Sequence, residues 1–371
     1  MKKNFPRILV CPLDWGIGHA TRCVPVIRKL QENNAEVIIG ADGRTFEFLS
    51  KYFPELELIR MPGVEVRYPA SGNMALKIAL QIPKILSGIR KENRLVKKII
   101  KEHDIDVVIS DNRFGIWSKD VYSIYITHQV RIKAPRGWGF VEPLLSRIHS
   151  QFWKNCGECW IPDYPDDPNL SGDLGHPRII SPKCHYIGPL SRFSSFSGEN
   201  NLNSSSDDSG ILILLSGPEP QRSIFEHIIL DEFRKHPEKK AILLRGLPGL
   251  SDKTTPLPNV TMFSHLPDAE IARLIQAAKV IICRPGYSTL MDLASLGKSA
   301  ILVPTPGQTE QEYLAEYHAS GGAFACLLQK EFSLEAALRL SSNLAPFTLF
   351  RSEQNYMDER IKRLLEALSH R

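Results

Sequence analysis

Short apolar runs alternate with longer amphipathic segments through the first half of this chain. Runs typical of buried strands lie at residues 7–13, 36–39, 56–60, 106–110, 123–127 and 159–163. Segments with a helical repeat of apolar positions lie between them, at residues 23–32, 44–52, 85–102 and 142–153. Strands alternating with helices are typical of a parallel sheet covered by helices on both faces. The pattern therefore predicts an α/β fold.

The same alternation returns after residue 210. Strands are predicted at residues 211–215, 241–244, 260–263, 280–283 and 300–303. Helices are predicted at residues 222–235, 269–278, 290–296, 312–319, 333–340 and 354–368. The intervening residues 193–208 are rich in Ser and Asn, which indicates a flexible polar stretch. We expect Rossmann-like domains at 1–188 and 210–350, with a linker at 189–209.

The composition is compatible with two domains and limits the expected ligands and cellular location. The chain has 371 residues and is 43% hydrophobic, enough for two cores. Its net charge of +5 suits anionic substrates or an anionic membrane, but equally an ordinary basic surface. No apolar run is long enough to span a membrane, and no signal peptide precedes the first strand, so a cytoplasmic location is expected. The seven scattered cysteines do not indicate a disulfide framework, and the close pair Cys156 and Cys159 is expected to consist of buried thiols rather than zinc ligands.

Residues 280–311 combine a strand, a turn, a helix and a second strand with groups suited to a nucleotide. Arg284 and the hydroxyl side chains of Ser288 and Thr289 lie where the first strand gives way to the helix. A helix N-terminus offers unpaired N–H groups and the positive end of its dipole, so this junction is a favourable seat for phosphate. Asp292, inside the helix, could accept both hydroxyls of a ribose.

The order of these residues resembles the donor-nucleotide signature of GT-B glycosyltransferases, particularly the MurG-like family and the related UDP-glycosyltransferases. The resemblance covers the following positions: Arg284, Gly286, Thr289, Asp292, Glu310 and Gln311. It implies that residues 284–289 hold a diphosphate, Asp292 the ribose, and Glu310 with Gln311 the transferred sugar. Asp stands where Glu is commoner, and Glu310 stands where relatives have Asp or Gln, which leaves the sugar open.

A second part of the resemblance lies in residues 14–22, predicted to be a loop. Gly16 and Gly18 form an incomplete dinucleotide motif, because Thr21 takes the place of the third glycine, and this disfavours an NAD-dependent oxidoreductase. The following His19 resembles the histidine that faces the acceptor and serves as general base in the family. Asp111, at the end of a predicted strand, is the corresponding orienting acid. Alternatively, the two residues are a helix cap and a turn residue.

Further residues are assigned by their predicted positions and by the resemblance. His128 and Gln129 end a strand on the same rim as His19, which places them on the acceptor side. Ser216, Gly217 and Arg222 form a second possible anion seat. In the family the uracil ring lies against the loop after the strand at 260–263. This implies base contacts at three residues: Phe263, His265 and Leu266.

Two segments suggest larger surfaces. Residues 130–153 interleave cations with large apolar side chains, which suits an anionic membrane surface but also an ordinary packed helix. The cations of the helix at 85–102 indicate a solvated face rather than a nucleic-acid site. In the resembled architecture, the C-terminal helix within 351–371 returns to the N-terminal domain.

The resemblance implies a GT-B fold, with two Rossmann-like domains facing across a cleft. The expected reaction transfers a hexose or N-acetylhexosamine from a UDP-sugar to a hydroxyl of a glycan or lipid-linked acceptor of the cell envelope. Family precedent implies inversion of configuration with no metal and no other cofactor, at the inner face of the membrane. The alternatives are a UDP-sugar epimerase of the same fold and a catalytically silent protein that binds a nucleotide or glycan.

Overall fold

The computed structural model describes residues 5–64, 81–135, 137–196, 210–248, 252–347 and 355–369. The described residues form two compact units. Unit 1 contains those up to Leu190 together with those after residue 354, and unit 2 contains those from Ser191 to residue 347. Residues 65–80 and most of the polar stretch predicted at 193–208 lie outside the described residues.

Unit 1 is built on one parallel sheet. Its strands are β1 Arg7–Pro12, β2 Glu36–Ala41, β3 Glu57–Arg60, β4 Val107–Asp111, β5 Tyr122–Ile126, β6 Glu158–Ile161 and β7 Cys184–Tyr186. Its helices are α1 Ile17–Glu32, α2 Gly43–Tyr52, α3 Ile82–Glu102 and α4 Glu142–Trp153. The strand order is β3-β2-β1-β4-β5-β6-β7. The carboxyl ends of β1, β4, β5 and β6 therefore lie side by side at one edge.

Unit 2 repeats this plan with one irregular edge. Its strands are β8 Ile211–Leu214, β9 Ala241–Leu244, β10 Lys253–Leu257, β11 Val260–Phe263, β12 Val280–Cys283, β13 Ala300–Leu302 and β14 Phe324–Cys326. Its helices are α5 Gln221–Lys235, α6 Asp268–Ala277, α7 Tyr287–Ser295, α8 Thr309–Ala319 and α9 Leu334–Ser341. The order is β10-β11-β9-β8-β12-β13-β14, and only the pair β10–β11 among these described strands is antiparallel.

The central strands are apolar because helices cover both of their faces. All five residues of β4 are buried, as are the last five of β1. In unit 2, α5 contributes Phe225, Ile229 and Phe233 to a core that also receives residues of β8, β9, β11, β12 and β13. Packing of this kind explains why short apolar runs predicted the central strands.

Four helices begin at least three residues earlier than the sequence pattern predicts, among them α3, which begins at Ile82 rather than at 85. The predicted loop at 14–22 is wrong beyond Gly16, because α1 begins at Ile17. Likewise α7 begins at Tyr287 rather than at 290, and α8 at Thr309 rather than at 312. Tertiary packing overrides local propensity at these ends, since Ala20, for example, is fully buried. His19, Ser288 and Glu310 consequently lie in first helical turns rather than in loops.

The last helix, α10 Tyr356–Ser369, belongs to unit 1. Asp358 lies 2.9 Å from the ammonium of Lys29 in α1. Arg360 donates from Nε to Glu158 Oε2 at 2.7 Å, and the same carboxylate accepts from Tyr122 and Trp160. Ion pairs and hydrogen bonds thus attach α10 to α1, β5 and β6.

Candidate active site

The carboxyl edge of the unit 1 sheet brings His19 and Asp111 together. His19 lies in the first turn of α1, directly after β1, and Asp111 is the last residue of the neighbouring β4. Nδ1 of His19 is 3.1 Å from Oδ2 of Asp111. The Asp111 carboxylate is fully buried, whereas 20% of the His19 side chain is exposed. The exposed part of the His19 ring can therefore contact a ligand, while the buried Asp111 carboxylate fixes the orientation of the ring.

A buried arginine joins this pair to a second histidine. Arg22, one turn after His19 on α1, donates from Nε to Oδ2 of Asp111 at 2.8 Å and also bonds Oδ1 through Nη2. Its Nη1 lies 3.1 Å from Nδ1 of His128, which follows β5. Both Arg22 and His128 are buried. The group thus forms a chain from His19 through Asp111 and Arg22 to His128.

The charges of these hydrogen-bonded residues determine the protonation state of His19. Burial alone would raise the pKa of Asp111, but Arg22 and His19 outweigh it and lower that pKa to about 2. Burial and the neighbouring Arg22 lower the pKa of His19, and the positive end of the α1 dipole also disfavours an imidazolium. His19 is therefore neutral near pH 7. Since an ionised Asp111 can only accept, Nδ1 of His19 carries the hydrogen and Nε2 is left as a base.

The other residues predicted on the acceptor side are sequence neighbours of His19 and His128. Gly16 directly precedes α1. A Cβ built on Gly16 would have no atom within 4 Å, so the space beside this residue is open. The carbonyl of Gly18 accepts from Thr21 within α1. The amide of Gln129 lies 3.5 Å from Nε2 of His128.

Unit 2 gathers the predicted diphosphate residues at the carboxyl ends of β8 and β12, which are adjacent strands. A Cβ built on Gly286 would lie 3.7 Å from Oγ1 of Thr289 and 4.0 Å from Oγ of Ser216. Gly217 has a φ of 102°, a conformation that favours glycine. Gly286 is the N-cap of α7, so the backbone N–H groups of Ser288 and Thr289 lie at the helix N-terminus. Hydroxyls and N–H donors therefore converge on one seat.

Arg284, two residues before Gly286, lies in the protein interior rather than in contact with solvent. It is 1% exposed, and its guanidinium stands 4.1 Å from the centre of the Phe225 ring. It donates to the carbonyl of Val303 at 2.9 Å and to Oε1 of Gln329 at 2.5 Å, both neutral acceptors. Burial lowers the pKa of Arg284 to about 9. The residue still adds positive charge beneath α7 near pH 7.

Asp292 and Gln311 are each held by a neighbour. Asp292, in the second turn of α7, accepts from the hydroxyl of Ser191 at 2.6 Å, and burial raises its pKa to about 6. Gln311, in the first turn of α8, accepts through Oε1 from the backbone N–H of Thr305 at 2.9 Å. Glu310, beside it, is partly exposed at the carboxyl end of β13. The residues predicted to bind ribose and sugar thus lie on two adjacent strand–helix junctions.

The remaining donor-side residues differ in how much charge they offer. Arg222 is buried in α5, and its guanidinium pairs with Glu219 and Glu226, both at 2.6 Å. Its charge is compensated within the protein. Phe263, His265 and Leu266 are partly exposed at the end of β11, and the ammonium of Lys253 lies 5.5 Å from the centre of the Phe263 ring.

Comparison with known proteins fits this geometry. Residues 225–367 match the glycosyltransferase family 28 C-terminal domain. The chain is 31% identical over 144 residues to a UDP-N-acetylglucosamine--N-acetylmuramyl-(pentapeptide) pyrophosphoryl-undecaprenol N-acetylglucosamine transferase of Desulforudis audaxviator, covering 36% of this chain and 39% of that one. The crystal structure of Acinetobacter baumannii MurG superposes with a TM-score of 0.51 at 14% identity, covering 98% of this chain and 99% of that one. The likeness to this solved structure shows that the chain has the fold of GT-B glycosyltransferases.

A longer but weaker match is to an archaeal protein. The chain is 23% identical over 326 residues to an uncharacterized glycosyltransferase of Methanosarcina acetivorans, covering 82% of this chain and 79% of that protein. The family 28 domain begins within α5, so the catalytic candidates His19 and Asp111 lie outside the matched region. The roles predicted for His19 and Asp111 therefore depend on the geometry of unit 1.

Sequence reasoning did not name Arg22, Ser191 or Gln329, although each contacts a predicted site residue. The only signal for Arg22 is its spacing, since a residue three positions after His19 shares its helical face. Ser191 and Gln329 contact Asp292 and Arg284 from 101 and 45 residues away in sequence. No local pattern reveals partners at such distances.

The segment 130–153 exposes apolar side chains, and some of its cations form ion pairs. Trp138, Phe140, Leu144 and Ile148 are 58%, 76%, 60% and 51% exposed. The cations of Arg131 and Lys133 bind Glu142 and Asp173, respectively.

Buried thiols occur at Cys156 and Cys159, as the sequence predicts. Among the described residues, no group of three or more His, Cys, Asp or Glu could hold a metal ion. Over the same part of the chain, no helix combines the length and apolarity needed to cross a membrane.

Proposed function

We propose that this protein transfers a hexose or N-acetylhexosamine from a UDP-sugar to an acceptor hydroxyl, with inversion and without a metal. The observation that carries the proposal is the contact of 3.1 Å between Nδ1 of His19 and the buried Asp111, which leaves Nε2 of His19 to accept a proton. Unit 1 supplies this base and unit 2 supplies the donor seat.

In the proposed reaction, the acceptor hydroxyl gives its proton to Nε2 of His19 as its oxygen attacks the anomeric carbon. The bond between that carbon and the UDP oxygen breaks, and the electron pair leaves with UDP. Asp111 stabilises the imidazolium that forms. Arg22 keeps Asp111 ionised and lowers the pKa of His19, so that the histidine is neutral before the reaction.

The negative charge that develops on UDP falls on unit 2. N–H groups of α7 and the hydroxyls of Ser216 and Thr289 surround the seat beside Gly286. Arg284 is a buried cation whose side-chain hydrogen bonds go to neutral acceptors, so an anion above it would supply a counter-charge. This arrangement supports stabilisation of the leaving group by fixed donors.

The test is calorimetric binding of UDP, GDP, TDP and NAD to the wild type and to Asp292→Ala. We expect a preference for UDP that falls about tenfold in the variant, or about 1.4 kcal/mol. The wild type is then screened for transfer from UDP-sugars, with and without EDTA. Absence of binding by any uridine nucleotide would refute the donor site, an EDTA-sensitive rate would refute the metal-free reaction, and an epimer formed without acceptor would indicate an epimerase.

We further propose that the acceptor is lipid-linked and that α4 meets an anionic membrane on the cytoplasmic side. Leu144 and Ile148, four residues apart, share one exposed face of α4, and the exposed Phe140 lies in the 3-10 turn directly before that helix. Arg147 and Lys154 are exposed beside this face. Apolar side chains flanked by cations suit a headgroup region. The relative from Desulforudis is named for an undecaprenol-linked substrate, which also favours a lipid-linked acceptor.

Co-sedimentation with vesicles tests this surface. The triple variant Phe140→Ser, Leu144→Ser, Ile148→Ser should lose binding to phosphatidylglycerol vesicles, whereas the control Ile179→Ser, which removes another exposed apolar side chain in unit 1, should bind normally. Equal binding by the triple variant would show that this face is not the membrane contact.

A further inference from the structure

Ser191, the first residue of unit 2, lies beside the acid predicted to bind ribose. It is 3% exposed, and its hydroxyl is 2.6 Å from Oδ1 of Asp292. The same hydroxyl oxygen accepts from the N–H of Phe193 at 3.1 Å and lies 2.9 Å from the hydroxyl of Ser295. Because an ionised carboxylate only accepts, the hydrogen of Ser191 points to Asp292. The serine is thus fixed on several sides.

The second oxygen of Asp292 has no such partner. Among the described residues, none donates a hydrogen bond to Oδ2. The neighbouring Arg192 pairs with Asp268 at 2.8 Å, and its charge lowers the pKa of Asp292. A carboxylate with one oxygen held and the other open presents that open oxygen in a set direction, which lowers the ordering cost of binding.

We propose that Ser191 is a positioning residue that occupies one oxygen of Asp292, so that the donor ribose is recognised through Oδ2 by a single hydroxyl. This inference rests on the proposed UDP-sugar site. It also gives a reason for aspartate at position 292, because glutamate would carry its carboxylate one methylene farther from α7 and away from the Ser191 hydroxyl.

The experiment measures binding of UDP, 2′-deoxy-UDP and 3′-deoxy-UDP to the wild type, Ser191→Ala and Ser194→Ala. Ser194 is a matched control, because its hydroxyl bonds the Ser191 carbonyl rather than Asp292. For the wild type and the control, we expect one deoxy analogue to bind about tenfold more weakly and the other within about twofold of UDP. In Ser191→Ala, UDP should bind more weakly and the difference between the two analogues should shrink.

The pH profile separates positioning from simple packing. The bond from Ser191 lowers the pKa of Asp292, while the nearby charges of Arg192 and Asp268 stay in place in the variant. The midpoint of the acid loss of UDP binding should therefore rise in Ser191→Ala. An unchanged midpoint with unchanged discrimination would show that Ser191 only packs. Equal losses with both analogues in the wild type would show that Asp292 uses both oxygens, and no UDP binding at all would overturn the donor site itself.

Discussion

Replacing Asp111 by asparagine keeps the size of the side chain and removes its negative charge. Arg22, only 2% exposed, then loses the carboxylate that accepts from its Nε and Nη2. Removing one partner of a buried ion pair costs about 3–5 kcal/mol, because the other charge remains buried. We expect a loss of this size in the free energy of unfolding, measured by urea denaturation of the wild type and the variant.

The same change should remove turnover from the protein that remains folded. An asparagine amide can donate to Nδ1 of His19, which would move the imidazole hydrogen to Nε2 and abolish the base. A carboxylate-to-amide change at the orienting acid of a serine-protease triad costs on the order of 10⁴-fold in kcat. For Asp111→Asn, we expect kcat, measured without urea, to fall by at least about 10³-fold.

Asp163→Asn is the matched control. Asp163 is also fully buried in unit 1 and lies 3.3 Å from a histidine, His176, but its hydrogen bonds come from backbone N–H groups and Ser171. It should lose stability while the folded protein keeps a kcat near that of the wild type. A folded Asp111→Asn with kcat within about threefold of the wild type would refute the role of Asp111, and a destabilisation below about 1 kcal/mol would refute the buried pair.

Three further outcomes follow from the described contacts. His19→Ala should lower kcat by about 10²–10⁴-fold and leave the Kd for UDP within about twofold; equal losses in both would make His19 structural. The acid limb of kcat/KM should lie below pH 6.5, because burial and Arg22 lower the pKa of His19, and a limb above pH 7 would contradict this. Glu158→Gln should lower the unfolding free energy by about 1–3 kcal/mol through the lost bonds to Arg360, and an unchanged urea midpoint would show that α10 is held otherwise.

Apolar runs predicted most strands because the central strands are covered on both faces. The pattern missed β7, β10 and β14, and the sequence of β10 shows the reason. Lys253–Leu257 is polar, contains Pro256 and is largely exposed at the sheet edge, so it has no apolar signature. Edge strands are defined by their pairing with a neighbour, and that neighbour is not visible in local sequence.

For the candidate site, sequence predicts residue types and the strand ends that carry them. His19 and Asp111 meet because β1 and β4 are adjacent, which follows from the fold class. The direction in which a side chain points does not follow from the fold class. Arg284 has the same place in the sequence whether it faces a ligand or lies against Phe225, and only the packing of α5 decides this.

The position of α10 also bears on the order in which the chain can fold during synthesis. All described residues of unit 2 lie between Ser191 and residue 347, whereas unit 1 needs residues from both sides of that stretch. Lys29 and Glu158 therefore leave the ribosome long before their partners in α10, Asp358 and Arg360. Unit 2 can complete its fold while unit 1 still lacks its last helix, so the second unit in sequence is the first able to finish.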